Sequence, residues 1–122
     1  MKITAFNPLI ITSHAAEAVA LFEELGFKQA HTKTSIPGDI TGYDLKYGED
    51  FRVDIAKVDS VPQDMTTIRM NVRDFDEAYD FLISKGFKDV NNGEATDTGS
   101  SKATMLVSPS GFSISIAQHI SK

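Results

Sequence analysis

The chain has no cysteine. Disulfides, thiolate metal sites and thiol nucleophiles are therefore excluded together. It also lacks an apolar run long enough to cross a bilayer, and its first residues do not read as a basic-plus-apolar leader. No membrane partner is expected, and the cytoplasm is the expected location. Lys and Arg form no cluster or stripe, and the formal net charge is −5. Nucleic acid, whose binding rests on phosphate neutralisation, is not an expected partner. The acidic balance speaks first to solubility.

What remains is an ordinary globular composition in 122 residues, enough for one domain or two small halves. Two versions of one phrase organise it. Ser13 to Lys28 reads SHAAEAVALFEELGFK, and Arg73 to Lys88 reads RDFDEAYDFLISKGFK. A single offset aligns Gly26 with Gly86, Glu17 with Glu77 and Ala18 with Ala78. One further residue of offset aligns Phe51 with Phe112, Val53 with Ile114, Ile55 with Ile116 and Ala56 with Ala117. The repeat therefore runs to the end of each half, as in a duplicated module.

The order of elements follows from periodicity and punctuation. Residues 3–12 predict a strand, edge-placed or bulged at Pro8, which cannot donate to a ladder. Ser13 is the expected cap of a helix whose apolar stripe is Ala18, Leu21, Phe22 and Leu25, with Gly26 as its stop. Strands follow over 27–34, 42–47 and 51–58, separated by turns at Pro37-Gly38-Asp39 and Gly48-Glu49-Asp50. Tyr43, Leu45 and Tyr47 share one apolar face with Phe51, Val53 and Ile55. This gives modules over 1–58 and 66–122, with a linker over 59–65.

The second module opens with a strand over 66–73. Asp74 caps a helix with Glu77 three residues on, resembling a capping box. Its stripe is Phe75, Ala78, Phe81 and Leu82, and Gly86 ends it. Strands are expected over 87–90, 103–107 and 112–117. Residues 91–102 are polar and read either as a mobile flap or as a plain surface loop.

Two β-α-β-β-β modules, a helix ending Leu25-Gly26-Phe27 and a Pro109-Ser110-Gly111 hairpin resemble the vicinal oxygen chelate family. That family includes glyoxalase I, extradiol dioxygenases, and bleomycin- and fosfomycin-resistance proteins. The resemblance implies an α+β fold of two tandem βαβββ modules, glyoxalase-like, with a curved sheet around a cup and helices outside. Strand periodicity places Asn7, Arg52, Asp54, Thr67, Arg69, Asn71, Ser113 and Ser115 on the polar sheet faces, either merely solvated or lining such a cup. These are the candidate ligand-binding residues.

Metal-dependent members of that family carry a ligand on the first and last strand of each module. The aligned positions here are Asn7, Asp54, Thr67 and Ser115, of which only Asp54 is a strong donor. One carboxylate, one amide and two hydroxyls are a poor set for zinc, iron or nickel. His14, His31 and His119 have no metal-pair spacing. No metal and no cofactor are expected, and no catalytic residue is assigned. Arg52 and Asp54, two apart on one strand, form either a mutual ion pair or part of a ligand site.

Two functions follow. The first is a metal-free binding protein that sequesters a small polar or drug-like molecule, similar to the antibiotic-binding members, which are homodimers with a comparable proline in the first strand. The second is a glyoxalase-like lyase or isomerase with Asp54 as base and Arg69 as oxyanion stabiliser.

Overall fold

The computed structural model describes residues 1–36, 39–90, 96–97 and 101–119. Two compact units are present. One comprises Asn7–Thr66, the other Thr67–Lys122 together with Met1–Phe6. The expected turn at Pro37-Gly38 and most of the polar stretch at 91–102 lie outside the described residues.

The first unit contains β1 (Ile3–Thr12, from Asn7 onward), α1 (Ala15–Leu25), β2 (Lys28–Ile36), β3 (Asp39–Tyr47) and β4 (Phe51–Lys57). Its strand order is β2-β3-β4-β1. β1 runs parallel to β4 in a register that starts at Leu9 opposite Asp54. Pro8 sits one residue before that ladder, so its missing N–H breaks no bond of it. β3 and β4 are an antiparallel hairpin.

The core of this unit is Ala15, Val19, Leu45, Val53 and Ile55, with Ala18, Phe22, Phe27 and Tyr43 packed against it. Helix α1 therefore turns Ala15, Ala18, Val19 and Phe22 inward. The expected stripe shared only Ala18 and Phe22 with this face. Leu21 and Leu25 are instead 53% and 58% exposed. Both stripes obey i, i+3, i+4, i+7 spacing, and an alanine-rich helix leaves its phase to packing. The cap also differs from expectation. His14, not Ser13, is the cap residue, with no side-chain cap. Its backbone N–H donates to the buried Thr12 Oγ1 at 2.9 Å.

The second unit contains β5 (Met65–Val72, from Thr67), α2 (Phe75–Ser84), β6 (Lys88–Asp89), β7 (Thr96–Asp97), β8 (Ser101–Val107) and β9 (Ser113–His119). Its order is β5-β9-β8-β6, with β7 also on β8. β5 and β9 are parallel, as β1 and β4 are in the first unit. Met70, Val72, Phe75, Ala78, Leu82, Leu106 and Ile116 form the core. Phe81 belongs instead to the surface, where the Lys85 ammonium lies 5.5 Å from its ring centre. Asp74 caps α2 as expected, accepting from the Glu77 N–H at 3.2 Å. The Phe75 N–H, one turn end that lacks a helical acceptor, donates to Gln118 Oε1 at 2.7 Å. The opening residues tie in here as well. Lys2 O accepts from the Arg73 N–H at 3.0 Å, and the terminal ammonium pairs with Glu77 at 3.2 Å.

The duplicated glycines have a shared packing reason. Gly26 (φ +110°) faces Tyr47, which stands in the hairpin before β4. Gly86 (φ +94°) faces Pro109, in the hairpin before β9. The first half has no proline hairpin, and Tyr47 stands against its glycine instead. Its ring is held between Phe27 and Phe51, with centroids 5.5 and 5.8 Å away. A Cβ on Gly26 would lie 2.8 Å from Tyr47 Cε2. Gly26→Ala thus meets both left-handed strain of about 1–2 kcal/mol and a steric clash. Gly48, at φ +57° with nothing within 4 Å of a built Cβ, meets the strain alone. In urea melts, Gly26→Ala is expected to lose clearly more stability than Gly48→Ala; equal losses would show that Tyr47 simply swings away.

Candidate functional site

In the first unit the polar face of β1 and β4 is built around one pair. Asn7 and Asp54 are both buried, at 6% and 5% exposure. Asn7 Nδ2 donates to Asp54 Oδ2 at 2.9 Å and to the Pro8 carbonyl at 3.0 Å. Both amide hydrogens are thereby placed, which aims the carbonyl end of Asn7 the other way. The proline matters here through its carbonyl rather than its missing donor. Of the two readings of Arg52 and Asp54, the mutual ion pair is not formed: Asp54 accepts from the Asn7 amide and Arg52 is exposed. Arg52 faces Lys46 across the β3–β4 ladder, and the next pair in, on the same face, is Asp44 opposite Asp54.

In the second unit β5 carries Thr67, Arg69 and Asn71 at alternate positions, and β9 carries Ser113 and Ser115. Ser113 Oγ donates to the buried Thr67 Oγ1 at 2.7 Å. Arg69 Nε donates to Asn71 Oδ1 at 3.2 Å, which steadies the guanidinium along the strand. Ser115 is the register partner of Arg69. Thr67 thus pairs with Ser113, whereas the family alignment matched it with Ser115.

The residues at the family's metal positions do not fit a transition metal. Asn7 turns its NH₂, not its oxygen, toward Asp54, so the two satisfy each other instead of converging on an ion. Thr67 and Ser113 do the same with a hydroxyl bond. Neutral hydroxyls and an amide are weak donors for zinc, iron or nickel. Among the described residues no group of three or more His, Asp or Glu comes together as a ligand set.

Other polar groups serve the framework. Thr104 Oγ1 donates to Asp89 Oδ1 at 2.8 Å, linking β8 to β6. Burial, then the hydrogen bond and charge of Asp89, raise the Tyr79 hydroxyl above its ordinary range, so it stays protonated and is no base. Lys46 escaped the sequence reading of the site, although its place beside Leu45 in GYDLKY puts it on the polar face. Gln118 escaped it too, and no local signal marks a glutamine as a distant helix cap.

No protein-family model matches the sequence, and no curated protein matches it. Solved structures do. Methylmalonyl-CoA epimerase from Mycobacterium tuberculosis superposes with a TM-score of 0.72 at 15% identity, covering 98% of this chain and 90% of that one. A glyoxalase/bleomycin resistance protein/dioxygenase superfamily member from Vibrio splendidus gives 0.61 at 14% identity, covering 96% and 99%. The chain has the vicinal oxygen chelate fold. A hypothetical protein from Bacillus halodurans adds a third match, 0.71 at 13% identity over 100% and 98%. The expected α+β architecture of paired βαβββ modules is thereby established. At such identities the likeness carries fold and not activity. No helix among the described residues is long and apolar enough to cross a membrane.

Proposed function

We propose that this chain binds a small polar or drug-like molecule without a metal, in the manner of the non-catalytic members of the fold. The observation that carries the reading is the Asn7–Asp54 pair. It stands where the metal-dependent members hold ligands, and its two groups are bonded to each other. Each unit offers its own polar face to a ligand, Asn7, Arg52 and Asp54 in the first and Thr67, Arg69, Asn71, Ser113 and Ser115 in the second. Arg69, steadied by Asn71, supplies a cation with fork geometry for a carboxylate or phosphate. The hydroxyls and amides supply orientation. Among the described residues none of these hydroxyls has a base beside it to make it a nucleophile. A homodimer in the cytoplasm completes the reading, by the same resemblance that Pro8 carries.

The enzyme reading asks Asp54 to act as a base. Its carboxylate is buried and one oxygen is already taken up by the Asn7 amide, which makes it the poorer candidate for reaching a substrate proton. A thermal-shift screen of metabolites and drugs tests the proposal. A true ligand at one hundred times its Kd adds about 2.7 kcal/mol of stability. One of Asp54→Ala and Arg69→Ala is expected to remove that gain, according to which unit's polar face holds the ligand. A hit whose shift survives both changes would overturn the assignment of these faces.

A further inference from the structure

We infer that the polar face of the first unit takes a small dianion, held on a row of three basic side chains drawn from three neighbouring strands. The row is set by register. Lys28 of β2 is the partner of Lys46 of β3, and Lys46 is the partner of Arg52 of β4. Register partners share a sheet face. The adjacent row, Gln29, Leu45 and Val53, points the other way. Leu45 and Val53 enter the core, and Gln29 donates to Glu23 of α1. The three cations therefore stand on the side away from the helix, the side of Asp54 and its Asn7 partner.

Folding alone does not favour this row. Like charges directly opposite destabilise a ladder, and here two successive pairs are like-on-like. Acids outnumber bases 17 to 12 in the chain, so an opposite partner was the more abundant choice. Among the described residues none of the three is in an ion pair. The nearby acids do not neutralise them. Glu49, in the turn between β3 and β4, is exposed and in no ion pair among the described residues. Asp44 and Asp54, the next pair in, have partners of their own, the Asn7 amide among those of Asp54. Lys28 and Arg52 are exposed, with Lys46 half-buried between them.

Neighbouring strands lie about 4.8 Å apart. One anionic group bridging Lys28 and Lys46 and a second bridging Lys46 and Arg52 would thus sit about 5 Å from each other. A dicarboxylate with three carbons between its acid groups spans about 5 Å when extended. The guanidinium offers a carboxylate paired donors, and each ammonium adds a point charge. A single anionic group would use only part of the row.

Naming this ligand class rests on the reading above that the face binds a small molecule. The probes are glutarate and pentanoate, equal in length and carrying two charges and one. Each is titrated into the intact protein and followed by backbone amide NMR. Saturable glutarate shifts are expected around Lys28, Lys46 and Arg52, weaker as salt rises. Pentanoate should bind about tenfold or more weaker. Lys46→Gln removes the cation shared by both groups and should weaken glutarate by about tenfold or more. Lys88→Gln, an exposed change in the other unit, should leave it unaltered. No saturable glutarate shift in these strands, equal binding of the two probes, or full binding by Lys46→Gln would each overturn the row. A thermal-shift hit lost in Asp54→Ala but kept in Lys46→Gln would overturn the row and uphold the face. Glutarate binding lost in Lys46→Gln, with no hit that depends on Asp54 or Arg69, would do the reverse.

Discussion

Leu45→Ala is expected to cost about 2–5 kcal/mol of unfolding free energy. Leu45 has no exposed surface and sits centrally on β3, against Ala15 and Val19 of α1 and Val53 and Ile55 of β4. Truncation removes its transfer free energy and leaves a cavity, because the neighbours are held by a parallel and an antiparallel ladder and cannot collapse inward freely. A domain of this size has about 5–15 kcal/mol in total, so the change is a large share of it. Urea denaturation measures the effect. Leu21→Ala is the control. As a member of the stripe expected from sequence it would cost nearly as much as Leu45→Ala; as the exposed residue of the structure it should stay within about 0.5 kcal/mol. A large loss at Leu21 would mean that α1 is rotated, or that Leu21 is covered in the assembled protein.

That control marks the boundary of what the residues reveal alone. The module order, both helices and the glycine stops were legible because each depends on local chemistry present in both halves, and the Asp74 cap because its bond to Glu77 is three residues away in sequence. The phase of α1 was not. Ala18 and Phe22 belong to both candidate stripes, and the choice between Ala15/Val19 and Leu21/Leu25 is made by where Leu45 and Val53 arrive from distant strands. Phe81 misled for the same reason: its spacing is right, but Phe75, Ala78 and Leu82 already fill the contact. The polar face was legible from alternation, and Thr67, Arg69 and Asp54 were found that way. Their pairings were not, since alternation assigns a face and no register. Asp54 meets Asn7 because parallel β1 and β4 align Leu9 with Asp54, a fact of tertiary pairing. The same hairpin register that sets Lys46 against Arg52 is fixed by the short turn at 48–50, and so was readable in principle from turn length.

Asn7→Asp is expected to be the most damaging single change on the polar face, at about 3–5 kcal/mol near neutral pH. It replaces an amide donor 2.9 Å from Asp54 Oδ2 with a second acceptor, in a place where both side chains are buried. Two carboxylates at that distance cannot both stay ionised cheaply in a buried place. Asn7→Ala is the milder comparison, about 1–3 kcal/mol, since it removes the donor without adding a charge. The penalty of Asn7→Asp should shrink as pH falls into the carboxylate range, because one shared proton converts repulsion into a hydrogen bond. The penalty of Asn7→Ala should not show that recovery. Denaturation of the three proteins from neutral to mildly acidic pH separates the cases. Should Asn7→Asp cost no more than Asn7→Ala and show no recovery, Asp54 would be well solvated and not committed to Asn7. The carboxylate would then be available as a base, and the balance would move from a binding protein toward a lyase or isomerase.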